Sequence, residues 1–299
     1  MGDPRKSWSF LTDRKLVANR EKVDWSGINL NHQYFNYLVS GDPKVHYLQY
    51  FIDKYISRPV SVLSLGCGNG HLERAIIEFK LPYSSVHGID INPDLSRFAE
   101  AEASRLGYKN VTYSTADLNV LSLPPQKYDL IIFFHSLHHI ENLEGLLDNI
   151  SKALTPEGIV LVVDFVGPTR FQWTDQQIKF TQELLDLLPP KLKTDLRNPK
   201  LNTIKEKIVR PKVEEIIGSD PSEAVRSGEI YPLLKKMFIT LEEKPLGGTL
   251  LSNLFDGIAG NFDEKEPVVQ SLIKSLQKVE ELLILNKVID SNFVFMVLK

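Results

Sequence analysis

Three glycines at alternate positions, Gly66, Gly68 and Gly70, follow an apolar run and lead into residues 71–79, which have helical spacing. Glycine at such a turn lets bare backbone approach a ligand that side chains would hold away, which points to a nucleotide-type cofactor. Asp90 lies twenty residues beyond Gly70, about where an acid meets the two ribose hydroxyls of a bound adenosine. A carboxylate accepts two hydrogen bonds at once, so it suits a vicinal diol. Asp117, after Thr115 and Ala116, could accept from an adenine amino group. Each acid also has a purely structural reading, Asp90 as the cap of a helix opened by Asn92 and Pro93, Asp117 as a cap or turn. His135, His138 and His139 crowd together and suit proton transfer or positioning of a substrate. The alternative is that they pack a turn with their imidazoles bonded to backbone. As a zinc site they find no fourth ligand nearby and no cysteine pair, so no metal is expected. Cys67 fits the glycine turn by its size rather than as a reactive thiol.

These groups need elements that bring them to one place. Residues 60–65 read as a strand buried on both faces, followed by a helix at 70–80. A second strand at 85–89 leads into a helix at 94–106, opened by Pro93 and stopped by Gly107. Strands at 111–115 and 128–134, a helix at 142–154, a turn at 155–158 and a strand at 159–165 continue the pattern. This alternation predicts an α/β fold with a doubly wound parallel sheet, whose ligands sit at the carboxyl ends of the strands. The glycines, Asp90, Asp117 and His135 all fall at such ends.

Residues 168–230 break the rhythm with a helix at 178–188, the stop Pro189-Pro190 and a basic segment, 191–212. That segment sets eight basic residues against Asp195 and Glu206, as a solvated face or as an attraction for an anionic substrate. A helix at 222–236, a strand at 237–241, helices at 250–259 and 265–286, and a strand at 292–298 follow, the two strands adding an antiparallel edge. Val269, Leu272, Leu276, Val279 and Leu283 share one face of the longer helix. Ahead of the first strand the chain is rich in aromatics, with helices at 31–39 and 43–56, read as a lid over a pocket or as ordinary packing.

With 299 residues, 42% hydrophobic and 24% charged, the chain has an ordinary globular composition. It has no apolar run of about eighteen residues and no charged-then-apolar leader, so neither a membrane span nor a signal peptide is expected. One cysteine fits a reducing, cytoplasmic compartment, and a net charge of −3 argues against a general nucleic-acid binder.

Leu63-Ser-Leu-Gly66-Cys-Gly68-Asn-Gly70, Gly88-Ile-Asp90-Ile-Asn-Pro93, Ala116-Asp117-Leu118 and Tyr128-Asp-Leu-Ile-Ile132 with Ser136-Leu-His138-His139-Ile140 occur in order. Together they resemble the class I S-adenosylmethionine-dependent methyltransferases, bacterial small-molecule type, over roughly residues 60–166 and the closing strands. The resemblance implies a seven-stranded, mostly parallel Rossmann-like sheet in the order 3-2-1-4-5-7-6. With the aromatic-rich lid read at 1–58, the expected division is a cofactor core at 59–167, a helical insertion at 168–230 that in such enzymes shapes the acceptor site, and closing strands at 231–299 with inserted helices 249–286. Gly66, Cys67, Gly68 and Gly70 would hold the methionine part of S-adenosylmethionine, Asp90 with Ile91 the ribose, and Asp117 with Leu118 the adenine. His135 would touch the cofactor, and His138 with His139 would face the acceptor as base or positioner; the product would be S-adenosylhomocysteine. The dinucleotide fingerprint would need glycine where His71 stands.

The expected activity is methyl transfer to a small molecule of unspecified acceptor atom, an anion being one reading, with no membrane partner, no nucleic acid and no set oligomeric state. Two other readings stand beside it: methylation of RNA or an anionic glycan gripped by 191–212, and binding of the cofactor without catalysis.

Overall fold

The computed structural model describes residues 3–299; Met1 and Gly2, which begin the expected lid, lie outside the described residues. Helices α1 (Pro4–Ser7), α2 (Arg14–Glu21), α3 (Asn29–Ser40) and α4 (Tyr47–Tyr55) precede the sheet. Then β1 (Val60–Leu65), α5 (His71–Glu78), β2 (Tyr83–Asp90), α6 (Pro93–Arg105), β3 (Val111–Thr115), β4 (Tyr128–Phe134), α7 (Leu143–Ala153) and β5 (Leu154–Phe165) alternate. Helices α8 (Asp175–Leu187), α9 (Val213–Ser219) and α10 (Ser227–Met237) form the insertion. The chain returns to the sheet through β6 (Thr240–Gly247), α11 (Leu251–Phe255), α12 (Pro267–Leu285) and β7 (Phe293–Leu298).

The sheet runs β3-β2-β1-β4-β5-β7-β6, with β7 antiparallel to both neighbours. Successive strand residues point to opposite faces, and both faces are covered. Leu63, Ile131, Phe133, Val162 and Met296 pack with α7 and α10, while Val62, Leu130, Ile132, Leu161 and Phe295 pack with α3, α4 and α5. A further apolar cluster lies off the sheet and joins Ile28 and Leu30 to Leu185, Leu254, Phe255, Ile258, Ile273 and Leu276. The apolar side chains of 250–262 are thus used in helix packing. Glu280, on α12 and almost fully buried, accepts the N–H groups of Gly248, Leu250 and Leu251. It does the work of a cap for α11 from a neighbouring helix.

Several boundaries differ from the sequence reading. The sixth strand is 240–247 rather than 237–241, because α10 continues through Met237. The strand hides in a charged stretch: as a sheet edge it is half-exposed, with Glu242 taking Tyr50, Lys54 and Tyr55, and Glu243 taking Tyr231 and Lys235. The helix expected from 222 starts only at Ser227, since Ala224 takes a positive φ of 48°. The 250–259 helix stops at Phe255, just ahead of Gly257 at φ 79°, and the 43–56 helix begins only at Tyr47, under a His46 cap. The 155–158 turn sits inside β5 as a register shift between Leu154 and Ile159. The basic segment is largely spent within the chain: Arg197 pairs with Asp195 and Asp256, Arg210 with Asp175, Lys212 with Glu215 and Lys191 with Glu266. Lys205 donates to three backbone carbonyls. No helix among the described residues is long and apolar enough to cross a membrane.

Candidate active site

β1 ends in a turn whose Gly66, Gly68 and Gly70 have φ of 72°, 54° and 76°. Gly66 packs so closely on Ser136 that an added Cβ would lie 2.4 Å from the serine Cβ, whereas at Gly68 the nearest atom, a Leu11 methyl, is 3.8 Å away. The turn spends its donors inside the protein. The N–H groups of Gly66 and Cys67 bond to Ile89 O, that of Gly68 to Asp90 Oδ2 at 2.8 Å, and that of Gly70 to Cys67 O. What it offers outward is therefore backbone without side chains rather than a row of free amides.

Asp90 and Asp117 follow adjacent strands, and Ala116 N–H donates to Asp90 O at 3.0 Å, which sets them at neighbouring strand ends. The Asp90 carboxylate takes one N–H on each oxygen, from Gly68 and from Asn92, which leaves each oxygen a lone pair. Burial pushes its pKa up against those two bonds. Asp117 is exposed and caps the turn Leu118–Val120 through the Asn119 N–H, so its structural reading holds. Ile91 is half-buried and Leu118 is buried. Cys67 is buried, and burial pushes its thiol pKa well up, which keeps it inert.

At the end of β4, His135 adopts φ 52° and its N–H bonds to Val163 O. His135 is exposed, and the protein packed around its ring pushes its pKa down. His138 and His139 lie on the single turn Leu137–His139, with ring centroids 4.2 Å apart. His138 Nδ1 is 2.6 Å from Asp164 Oδ1, and its Nε2 is 3.4 Å from Glu223 Oε1. Burial opposes a charge on His138, but the two carboxylates outweigh it and hold the pKa up to about 10. With both ring nitrogens engaged by carboxylates, the arrangement favours the positioning half of the expectation over the base. Asp164, wholly buried, also takes the N–H groups of Ser136, Leu137 and Phe165. His139 Nδ1 meets Ser222 Oγ at 3.0 Å, and burial with the neighbouring His138 charge pushes its pKa down to about 4.

Asp220, Ser222 and Glu223 escaped the sequence reading because they come from an irregular stretch some eighty residues beyond the histidines. Asp164 was legible only as an acid at a strand end. The cover was equally hidden. Trp8 donates its indole N–H to Asp220 and packs edge-on against His139. Asn92 donates to Ser9 Oγ, and Asn69 to Leu11 O, so the N-terminal segment crosses both the glycine turn and the histidines. Aromatic rings run in contact from Trp173 through Phe165 and Phe293 to Trp25, beside His138 and His135. A surface cleft of about 480 Å³ is lined by Ser96, Glu100 and Tyr113, and Tyr113 packs close to Gly70.

A doubly wound sheet with a glycine turn after β1 and acids after β2 and β3 defines a protein that binds a nucleoside-containing cofactor. A family model described as a methyltransferase domain matches residues 56–236, and the chain belongs to that family, the class I S-adenosylmethionine-dependent methyltransferases. Over 134 residues it is 28% identical to malonyl-acyl-carrier-protein O-methyltransferase 2 of Ilyobacter polytropus, covering 42% of this chain and 50% of that one. It is 30% identical over 106 residues to aklanonic acid methyltransferase DauC of a Streptomyces species, covering 34% and 48%. The chain spans about half the length of the curated relatives it matches. The crystal structure of an S-adenosylmethionine-dependent methyltransferase from Mesorhizobium loti aligns with a TM-score of 0.49 and 15% identity, covering 84% of this chain and 94% of that chain.

The cofactor is S-adenosylmethionine, and the turn fits it for a physical reason. A pyrophosphate needs free N–H donors, but here those of Gly66, Cys67, Gly68 and Gly70 are already bonded. The sulfonium and ammonium of the methionine part are cations and need no such donors, while its carboxylate must find donors elsewhere in the site.

Proposed function

We propose that this protein methylates an acidic oxygen of a small molecule. In this reading Gly66, Cys67, Gly68 and Gly70 line the methionine part of the cofactor, Asp90 and Ile91 the ribose, and Asp117 and Leu118 the adenine. His135 borders the cofactor, while His138 and His139 face the acceptor. When bound, S-adenosylmethionine supplies a methyl group made electrophilic by its sulfonium.

The remaining work is to hold the acceptor oxygen in line, about 3 Å from its target, and to keep water out. A carboxylate or enolate arrives without its proton and needs no base. His138, with both ring nitrogens engaged by Asp164 and Glu223, offers none and suits such an acceptor. The rings of Phe165, Phe293 and Trp173 offer an apolar wall for the rest of the molecule, and Trp8 covers the histidines. The observation that carries the reading is the His138 ring, held at both nitrogens at the end of β4 beside this wall. Two relatives are named for an O-methylation and for an acid, which agrees with an acidic oxygen. The pairing of the basic segment within the chain weighs against a grip on RNA or glycan.

The test is transfer of labelled methyl from the cofactor to a panel of small carboxylic acids, enols, phenols and amines. Turnover of the acidic oxygen compounds is expected, independent of moderate salt. Turnover of amines alone, or transfer only to RNA with steep salt dependence, would overturn the reading.

A further inference from the structure

We propose that His138, His139 and Glu223 form a binding site for one divalent transition-metal ion of the zinc class. One donor atom from each of the three lies within 4.8 Å of the others. The separation of His138 Nε2 and Glu223 Oε1, 3.4 Å, is informative. It is long for a charge-assisted hydrogen bond, which runs about 2.7–2.9 Å. It matches the edge of roughly 3.4 Å spanned by two ligands bound at about 2.1 Å to a tetrahedral ion.

The groups behind the ligands point the same way. A metal-bound histidine usually gives its second ring nitrogen to a carboxylate or another acceptor, which fixes the ring. His138 Nδ1 is held by Asp164, which is locked in turn by three backbone N–H groups. Ser222 Oγ donates its proton to Asp220 at 2.6 Å, so at His139 it accepts, and Nδ1 carries the ring's proton. That leaves Nε2 as the lone pair His139 can offer. Two carboxylates, Asp164 and Glu223, face opposite nitrogens of one ring, and a divalent cation would balance their charge. Two nitrogens and one carboxylate oxygen suit zinc, cobalt or iron(II) better than magnesium.

On binding, the ion takes the place of the Nε2 proton of His138 and carries the positive charge in its stead, and three protein ligands leave a coordination position open. Resting on the acceptor role proposed above, that position would take the acceptor's acidic oxygen. The ion-binding claim itself does not depend on that role.

The full-length protein, stripped with a chelator and dialysed, is titrated with Co²⁺ and followed by its visible absorption, then with Zn²⁺ as competitor. Expected are one ion per chain, tetrahedral-type cobalt absorption, and displacement by zinc. His139→Ala and Glu223→Gln should each weaken binding at least tenfold, and Asp164→Asn about 10–100-fold. S-adenosylmethionine binding by calorimetry on the same samples reports whether each variant is folded. Absence of a stoichiometric cobalt spectrum in protein that binds the cofactor would overturn the site and leave the methyltransferase reading standing. Undiminished binding in folded Glu223→Gln and His139→Ala would overturn it as well. Metal binding without methyl transfer to any acidic oxygen would instead strike the acceptor reading.

Discussion

Asp164 Oδ1 lies 2.6 Å from His138 Nδ1, and the other oxygen of the same buried carboxylate takes the N–H groups of Ser136 and Leu137. One acid thus fixes both the turn after β4 and the ring carried on it. Asp164→Asn puts an amide where three N–H donors and a charged ring need an acceptor. Removing one partner of a buried pair costs about 3–5 kcal/mol, and we expect a loss of that order in urea denaturation. Turnover should fall at least tenfold while the cofactor's dissociation constant moves less than about threefold. Equal losses in both would show that Asp164 serves the cofactor instead.

The glycine turn makes two replacements differ. Both Gly66→Ala and Gly68→Ala strain a positive φ, at roughly 1–2 kcal/mol each. Gly66→Ala also drives a Cβ to 2.4 Å from that of Ser136, while Gly68→Ala meets only a methyl at 3.8 Å. Gly68→Ala should therefore fold, with a melting temperature lower by roughly 2–4 °C, and lose cofactor affinity. Gly66→Ala should be far less stable. Differential scanning fluorimetry with and without S-adenosylmethionine separates the two, and matching melting temperatures would contradict the close Gly66–Ser136 packing.

Burial pushes the carboxyl of Glu73, on α5 beneath the glycine turn, up to about 7 from an ordinary 4.5. Below the ordinary value it is protonated whether folded or not, and stability is unaffected. As pH rises from there to about 7, the unfolded chain gives up the proton and the folded chain keeps it, so stability falls; above 7 the loss is complete. Glu73→Gln removes this dependence, worth on the order of 3 kcal/mol. The variant's advantage in urea midpoint should be small near pH 5 and full near pH 8. An advantage that does not change with pH would show that Glu73 is ionised in the fold.

The N-terminal segment reaches the site through Trp8, Ser9 and Leu11 and adds little to the core. Deleting residues 1–20 should leave the melting temperature within about 3 °C, because the two sheet-face clusters contain none of them. It should raise the KM for S-adenosylmethionine at least tenfold by uncovering Asn69 and Asn92. Unchanged kinetics would show that the segment does not cover the cofactor site.

What could be read in the sequence was what local pattern encodes. The buried runs at 60–65 and 128–134, the glycines and Asp90 gave the doubly wound class and the cofactor end, since these follow from spacing along the chain, whereas the strand order came from the family resemblance alone. Asp117 showed its capping role, as Asn119 two residues on permits. The acceptor end was not legible in the same way. Glu223 reaches His138 only because Ala224 breaks the helix that periodicity predicts from 222, and Trp8 reaches His139 from before the first strand. β6 was misplaced because an edge strand carrying Glu242, Glu243 and Lys244 lacks the apolar alternation that marks a buried one.

Strand β7 lies between β5 and β6, although both precede it in sequence. The sheet therefore closes by insertion into a gap, not by growth outward. While a ribosome is still making residues 293–298, the edge of β5 stands open and β6 has nothing to pair with. Val160–Phe165 is then an apolar template that any second nascent chain could occupy. Translation that stalls before this point leaves a protein with every cofactor-binding residue in place and a strong tendency to aggregate.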